Sequence, residues 1–420
     1  MKKIILFLIA LFLCEIISVT DSHAIPAFAR KYGFNCSMCH SGFTKLNDFG
    51  QRYRDNGYQI PGQSGKEKTV FETYPPIAMR IPFGYTTYGT DAGRSQSFNL
   101  FSLDILAAGV LHKNVSFMFV YTPRIDEPSA YYSGRDSSNN SASQFGALES
   151  ANLVFSNIIP NVLNLRIGKF EPGYHMFSSK RSYYLLQPYE VYSMTTPKNS
   201  YVFDDNQIGI EASGHFKMGF KYTAGIVGGN GANPDNNNGK DIYLSLSQTI
   251  GKGEGQSSGQ RLGVFGYYGW QPLTLPGTVI GDMGQTNGSN NSTFYRVGIN
   301  GSINYSRLGL QMLYFIGSDD KELNTLDPAV NYKYTGGFVE LDYVGLCNNK
   351  LVASVMYNWI SPPGYDADRE FKAYSALCRY YIGDWSAVNV SLHAEYTHRI
   401  IGETPELKEN IFALALDFAF

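Results

Sequence analysis

Two cysteines and a histidine near the start of the chain have the residue types and the spacing of a haem attachment site. Two residues separate Cys36 from Cys39, and His40 follows directly. A Cys-x-x-Cys-His run is the c-type haem signature, in which both thiols add to haem vinyl groups and the histidine becomes an axial ligand of the iron. The motif predicts one covalently bound haem c, held by Cys36, Cys39 and His40.

Two other chemistries use closely spaced cysteines, and the remaining sequence favours neither of them. A structural zinc site needs a second pair of ligands with similar spacing, and the chain has five cysteines and seven histidines without such a pair. A redox dithiol of the thioredoxin type belongs to a βαβ context, and the sequence around the motif does not have that pattern. Haem attachment is therefore the chemistry that the motif predicts.

The first 24 residues have the layout of an export signal. Lys2 and Lys3 form a basic start, Ile4 to Leu13 form a short apolar run, and Ser22-His23-Ala24 is an acceptable cleavage site. The apolar run is too short to span a bilayer as a helix. Residues 1–24 are predicted to be a cleaved signal peptide, and export agrees with the attachment of c-type haem outside the cytoplasm.

Composition narrows the class of protein. Hydrophobic residues make up 43% of the chain and charged residues 17%, and the net charge is −2. This balance provides no basic surface for nucleic acid, so no nucleic-acid partner is expected. Aromatic residues reach 15% and glycines number 43. An exported chain with this composition and no long apolar run suits an outer-membrane barrel, although a large secreted β-sandwich is similar in composition.

Alternation of apolar and polar residues predicts strands along most of the chain. An alternation with a period of two residues and one apolar face is typical of a sheet with one apolar and one polar side. The final segment, which ends at Phe420, resembles the terminal recognition signal of bacterial outer-membrane barrels. The apolar faces are seen best in three runs: Val115, Phe117, Phe119 and Tyr121; Val388, Val390, Leu392, Ala394 and Tyr396; and Phe412, Leu414, Leu416, Phe418 and Phe420.

About 16 such segments lie between residues 76 and 420, and their connections alternate in length. Short links fall near residues 112–114, 214–215, 304, 347–349 and 383–384, and long ones near 125–144, 171–204, 229–240, 271–292 and 317–333. Short periplasmic turns and long outer loops are typical of transmembrane barrels, whereas a soluble β-sandwich has no need for this alternation. The prediction is an all-β chain whose residues 73–420 form a porin-like barrel of about 16 strands in the outer membrane, in contact with its lipid.

Residues 25–72 remain as a monohaem cytochrome c-like segment. So short a segment rarely builds a core alone, and haem needs apolar cover on both faces. Leu46, Phe49 and Tyr53 follow the spacing of one helix face. We therefore expect the segment to be a helical plug inside the barrel lumen, with the wall supplying the missing cover. A segment that moves freely in the periplasm is the alternative.

Parts of this segment resemble a known family. The run from Ile25 to Gly33, the haem motif, Phe49-Gly50 and Asn56-Gly57-Tyr58 resemble the N-terminus of the fused monohaem cytochrome–porins, over about 35 residues. That family includes outer-membrane iron oxidases of Fe(II)-oxidising bacteria, and its members join one c-type haem to a porin-like barrel. Residues Leu165 to Phe170 also resemble a strand end of phosphate-selective porins. Related proteins occur in bacteria with other metabolisms, so the resemblance leaves the electron donor open.

The resemblance implies an electron-transfer function, and for an Fe(II)-oxidising cytochrome an oxidoreductase activity. Electrons would pass from extracellular Fe(II), or a similar small reductant, through the haem to a periplasmic cytochrome or other electron carrier. Two alternatives stay open. The same architecture could serve another donor or acceptor, or outward electron flow, and the chain could be a solute porin whose haem is structural or sensory.

The sixth ligand of the haem iron has three candidates. His175 and Met176 lie in the third outer loop, which in many porins folds into the lumen, and His393 points inward by its position in the strand alternation. By the same alternation Asp104, Glu211, Glu340, Asp342 and Glu395 face the lumen. Carboxylates could guide Fe(II), or they could simply solvate the pore. Cys347 and Cys378 are expected to remain unpaired, because a strand should lie between them.

Overall fold

Seventeen antiparallel strand segments close into one barrel in the computed structural model. The structure describes residues 27–63, 65–73, 76–123, 147–174, 176–186, 189–231, 233, 235–251, 260–273, 290–382, 389–402 and 405–420. The predicted signal peptide and its cleavage site lie outside these residues. The barrel strands are β3 Ile77–Thr90, β4 Gly93–Leu100, β5 Asp104–His112, β6 Val115–Thr122, β7 Ala147–Ile159, β8 Leu163–Phe170, β9 Gln207–His215, β10 Phe220–Val227, β11 Asp241–Ile250, β12 Gln260–Pro272, β13 Asn291–Tyr305, β14 Leu308–Asp319, β15 Tyr332–Gly345, β16 Leu351–Ser361, β17 Phe371–Tyr381, β18 Asn389–Ile401 and β19 Leu407–Ala419.

Two of these segments share one position in the barrel. β4 pairs with the outer part of β3, where Phe83 is opposite Leu100. β5 pairs with the beginning of β3, where Arg80 is opposite Asp104. β4 and β5 therefore act as one interrupted strand, and the wall has sixteen positions. The prediction of an all-β barrel with about 16 strands is confirmed.

The last strand closes the barrel against the first. β19 pairs antiparallel with β3, and Phe420 accepts a backbone hydrogen bond from Met79 at 2.7 Å. Outward side chains of β19 such as Leu414 are exposed, whereas the inward Ala413 and Ala415 are buried. The predicted alternation of apolar and polar residues thus matches the alternation of outward and inward side chains along the barrel wall. Closure leaves no unpaired sheet edge, as a barrel in a bilayer requires.

The links between strands divide the barrel into two ends. At the end that carries both Ile77 and Phe420, the links are short, for example at residues 113–114 and 306–307. At the other end the links at 171–206, 228–240 and 320–331 are longer, and the predicted loops near 125–144 and 271–292 fall largely outside the described residues. By the general organisation of these barrels the short-turn end faces the periplasm. None of the described helices combines the length and the apolar character needed to cross a membrane.

Before the barrel, the chain forms a small helical segment. Helix α1 spans Ala27–Tyr32, strands β1 His40–Gly42 and β2 Lys45–Leu46 form a hairpin, and helix α2 spans Asp48–Asp55. Asn47 caps α2, because its side chain accepts a hydrogen bond from the Gly50 amide at 2.9 Å. At the other end Gly57, at φ +65°, allows Tyr58 to donate to the Tyr53 carbonyl. This is the arrangement that commonly ends helices at a glycine.

Aromatic rings hold the two helices together. Phe28 of α1 stacks on Tyr58 with ring centroids 5.2 Å apart, and it meets Tyr53 of α2 edge-on at 5.3 Å. The cluster packs against Ala108 and Met118 of the barrel wall. The wall therefore supplies apolar cover that so short a segment cannot make alone.

Candidate functional site

The Cys36–His40 motif forms a compact turn that Asn47 holds in place. Cys36–Met38 is one turn of 3₁₀ helix, closed by a bond from the Cys39 amide to the Cys36 carbonyl at 3.1 Å. The Asn47 side-chain amide donates to the carbonyls of Ser37 and Met38 at 3.2 and 3.1 Å. Asn47 therefore ties the motif to the start of α2. Its role was missed from the sequence, where the only signal is a capping residue before a helix.

Helix α2 approaches the motif so closely that only glycine fits at the contact. A Cβ atom added to Gly50 would lie 2.1 Å from the Cys39 carbonyl oxygen. Backbone atoms cannot give way as the end of a side chain can, so any larger residue must displace α2 or the motif. This explains the Phe49-Gly50 pair that the sequence analysis singled out by resemblance.

Both cysteines of the motif are free thiols in an apolar environment. Burial raises the pKa of Cys36 to about 11, and burial together with the neighbouring Cys36 raises the pKa of Cys39 to about 11. The attacking cysteine of a redox dithiol needs a lowered pKa. This environment therefore does not favour thiolate chemistry. No group of three or more His, Cys, Asp or Glu side chains within the described residues is arranged to hold a metal ion.

His40 is oriented as an axial haem ligand needs to be. Its Nδ1 lies 3.2 Å from the Thr44 carbonyl oxygen, a contact that fixes the ring and places the Nδ1 proton, so that Nε2 is the free ligand atom. Burial lowers the pKa of His40 to about 4, which keeps the imidazole in the neutral form that binds metal. Two thiols and an oriented histidine are the donor set that the predicted haem needs.

The chain that follows His40 is anchored to the inner wall of the barrel. The Lys45 ammonium lies 3.0 Å from Glu340 Oε1 and 2.6 Å from Asp342 Oδ2 on β15. The Phe43 carbonyl accepts hydrogen bonds from Arg379 at 3.4 Å and Tyr381 at 2.7 Å on β17. These groups are buried, so the contacts join the segment to inward-facing residues of the strands.

Helix α2 is anchored to the opposite part of the wall. Asp55 lies 3.0 Å from His215 Nε2 and 2.6 Å from Lys221 Nζ, at the adjoining ends of β9 and β10. Asp48 lies 2.7 Å from Arg261 at the start of β12. All these wall residues lie near the short-turn end. The segment therefore occupies the lumen at that end, held from at least two sides.

The loop after β8 also enters the lumen. Thr44 donates to the Ser182 carbonyl at 2.6 Å, and the Leu185 amide donates to Glu395 at 2.7 Å on β18. Tyr189 donates to Glu340 at 2.7 Å and stacks on Phe338 with ring centroids 4.0 Å apart. The inward course expected for this loop is confirmed by these contacts.

Aromatic side chains of that loop and of the outer strand ends form one buried cluster. Tyr201 lies 4.3 Å from Tyr267, and Phe203 lies 5.2 Å from Phe315, measured between ring centroids. Close aromatic packing of this kind excludes water. The cluster occupies the lumen toward the outer ends of the strands, and its members include Phe170, Tyr174, Tyr192, Phe294, Tyr332 and Tyr334.

The candidate sixth ligands have different surroundings. Met176 lines a cavity together with Ser41 and Lys45, next to the motif. His393 is buried in β18, where its Nε2 lies 2.9 Å from Glu395 Oε2. His175 lies outside the described residues.

The predicted lumen carboxylates do face inward, and each already has partners. Glu340 and Asp342 hold Lys45, Glu211 lies 2.5 Å from Arg166, and Glu395 binds the loop amides. Asp104 accepts a hydrogen bond from Thr122 at 3.1 Å. Glu340 and Asp342 hold the segment in place, and Glu211 and Glu395 hold the loop through the Gly173 and Leu185 amides. Cys347 lies in the turn before β16 and Cys378 lies on β17, and neither forms a disulfide with a described cysteine.

A cavity of about 140 Å³ remains between the segment, the inward loop and the wall from β10 to β15. Its lining runs from Met176 in the loop to Arg307 in the short turn between β13 and β14. Asn300, 3% exposed, lines it with side-chain amide atoms that have no hydrogen-bond partner among the described residues. The charged lining residues are Lys45, Arg54, Arg181, Lys221, Arg261, Arg307, Glu171 and Asp342.

Comparisons with solved structures place the barrel among outer-membrane porins. The chain is similar to OmpF of Salmonella typhi (TM-score 0.54, 11% identity), with 82% of this chain and 97% of that chain covered. It is also similar to the trimer form of OmpT of Vibrio cholerae (0.52, 11%, covering 82% and 98%) and to the channel DcaP of Acinetobacter baumannii (0.52, 8%, covering 82% and 96%). Such low identity shows the fold alone. No family model and no curated protein matches the sequence.

The fold and these neighbours define the class: a closed, porin-like antiparallel β-barrel.

Proposed function

We propose that this barrel is an electron-transfer protein that passes electrons from extracellular Fe(II), through one c-type haem on its N-terminal segment, to a soluble carrier in the periplasm. The observation that carries the proposal is the Cys36–His40 motif, with His40 oriented by Thr44, in a segment anchored inside the lumen. A haem attached there would supply the one-electron centre. The porin-like fold is compatible with this role but does not by itself favour it.

The chain's own residues have distinct parts in this proposal. Cys36 and Cys39 hold the group covalently, and His40 presents a neutral imidazole whose ring is fixed through Nδ1. Lys45 fixes the position of the motif relative to the wall through two buried carboxylates. The aromatic cluster keeps water out of the lumen between the motif and the outer loops.

Fe(II) is expected to give up its electron at the outer side, and the electron then has to cross the buried aromatic cluster to reach a haem on the Cys36–His40 motif. A hydrated cation would have to pass the buried aromatic cluster, and the carboxylates that could guide it are engaged with Lys45, Arg166 and loop amides. Oxidation outside also keeps insoluble Fe(III) out of the cell.

Electron flow across the membrane can be measured directly. The haem-loaded protein is inserted into lipid vesicles that contain an oxidised soluble cytochrome, and Fe(II) is added outside under anaerobic conditions. The proposal predicts reduction of the trapped cytochrome only in vesicles that contain the intact protein. The matched control carries Cys36→Ala and Cys39→Ala, and equal reduction with this control would contradict the proposal.

A second candidate function is a solute porin whose haem is structural or sensory. The similarity to porin structures and the polar cavity that reaches the short-turn end favour it. This candidate predicts a conducting pore in planar bilayers that does not depend on the redox state of the haem. Electron transfer with the aromatic cluster in place predicts little conductance, so single-channel recording separates the two functions.

A further inference from the structure

The short-turn end of the barrel presents an excess of exposed positive charge. Within the described part of this end, one carboxylate, Glu72, is exposed together with six cations. Lys66, Lys68, Lys113 and Lys217 make no ion pair with any described residue, whereas Arg52 lies 2.6 Å from Asp48 on the same helix. A surface with unpaired charges of one sign attracts partners of the opposite sign. The six exposed cations, named here the basic mouth, are Arg52, Lys66, Lys68, Lys113, Lys217 and Arg307.

The opposite end of the barrel differs. There, seven exposed cations accompany four exposed carboxylates among the described residues, and some are paired: Lys240 is 2.6 Å from Asp235, and Lys408 is 3.2 Å from Glu406. Pairing of this kind neutralises the charge locally. The excess of exposed cations over exposed carboxylates is therefore larger at the described part of the short-turn end.

The positive charge of the mouth continues into the cavity. The cavity is lined by Arg307 of the short turn and by Lys221, Arg261 and Arg181. Among the charged lining residues the cations outnumber the two carboxylates, Glu171 and Asp342. A positive rim around a positive cavity focuses the field toward the opening.

We propose that the basic mouth is the docking surface for an acidic protein, the periplasmic carrier that accepts the electron. This inference rests on the proposed function. Arg52 lies on α2, whose Asp48 and Asp55 contact the inner wall, and Arg307 lines the cavity, so both are placed to meet a protein that covers the opening. Lys113 and Lys217 lie in turns at the rim, within reach of phospholipid headgroups. For that reason the variant used in the test replaces Arg52 and Arg307.

The test uses the haem-loaded protein in detergent, reduced beforehand with dithionite that is then removed. It is mixed in a stopped-flow instrument with one of two oxidised soluble cytochromes, one acidic and one basic. The rate with the acidic cytochrome is expected to fall about tenfold as salt rises from about 20 mM to about 500 mM. Arg52→Gln combined with Arg307→Gln should lower the low-salt rate several-fold. The matched pair Lys240→Gln and Lys408→Gln, at the opposite end, should leave it unchanged.

Two results would overturn the inference. One is equal rates with the acidic and the basic cytochrome at every salt concentration. The other is an unchanged rate in the Arg52 and Arg307 variant, combined with weaker binding of that variant to vesicles that contain anionic phospholipid, which would assign the charges to lipid. Because dithionite supplies the electrons, this test does not depend on whether Fe(II) is the donor. A failure of Fe(II) to reduce the haem would count against the proposed function alone.

Discussion

The ammonium group of Lys45 lies 2.6 Å from Asp342 Oδ2 and 3.0 Å from Glu340 Oε1, and this contact joins the N-terminal segment to strand β15. Burial by itself lowers the pKa of Lys45, but the two carboxylates outweigh it and the pKa is raised. Lys45 is therefore charged in the folded protein. The ring of Tyr183 lies below the ammonium, with its centroid 4.7 Å away. One residue, five positions after His40, thus sets where the motif lies in the lumen.

Lys45→Met is expected to loosen the segment, because it leaves two buried carboxylates without their cation. Removal of one partner from a buried ion pair costs about 3 to 5 kcal/mol. The segment should become sensitive to protease in the purified, folded protein. Lys45→Arg keeps the charge and should remain resistant. Adding Glu340→Gln and Asp342→Asn to Lys45→Met should restore part of the lost stability, whereas resistance equal to wild type in Lys45→Met would contradict the anchoring role.

Replacement of the motif cysteines should abolish covalent haem. Cys36→Ala combined with Cys39→Ala removes both thiols that can form thioether bonds, so haem staining of the denatured protein on a gel should disappear. Cys347→Ala combined with Cys378→Ala removes two cysteines outside the motif, neither of which is in a disulfide with a described cysteine, and should stain as wild type. If the exported wild-type protein carried no covalent haem, the prediction that the motif attaches haem would be wrong.

Gly50→Ala should disturb the motif although it adds a single methyl group. The added Cβ would lie 2.1 Å from the Cys39 carbonyl oxygen, so α2 or the motif must shift. We expect a loss of at least half of the haem-loaded protein and an altered haem spectrum in the remainder. Gly93→Ala is the matched control, because its added Cβ would have no neighbour within 4 Å. Equal haem loading in both variants would show that the close approach of α2 is unimportant.

Met176 and His393 are the two candidate sixth ligands within the described residues. Met176 lines the cavity next to Ser41 and Lys45, whereas His393 has Nε2 on Glu395 and Nδ1 without a hydrogen-bond partner among the described residues. If Met176 is the ligand, Met176→Leu should remove the near-infrared band of methionine-ligated ferric haem and lower the midpoint potential. His393→Gln should leave both unchanged. The opposite pattern would assign the position to His393, and no change in either variant would exclude both.

Sequence reasoning reached the barrel because its signals are local. The period of two in Phe412, Leu414 and Leu416 follows directly from a wall with lipid on one side, and the exposed side chains of these residues match it. The inward direction of the Glu340 and Asp342 side chains follows from the same alternation along a strand. Haem attachment by Cys36, Cys39 and His40 remains a prediction from the motif.

The ion-pair and hydrogen-bond partners of the inward-facing residues could not be predicted from the sequence. Glu340 meets Lys45 across 295 positions in the chain, a contact that depends on how the segment sits in the closed barrel. Alternation shows that a carboxylate faces the lumen, but it does not show whether a lysine neutralises it. For the same reason Asn47 and Gly50 gave no sign that they contact the motif.

The most direct test of the account is to mix the purified, oxidised, haem-loaded protein with Fe(II) under anaerobic conditions and to follow the haem absorption bands. The account predicts rapid reduction with one equivalent of Fe(II) per haem, and no comparable change with a redox-inert divalent cation such as Mg²⁺. A haem that stays oxidised with Fe(II) but is reduced by dithionite would contradict the account, and the solute porin with a structural or sensory haem would then be the better description.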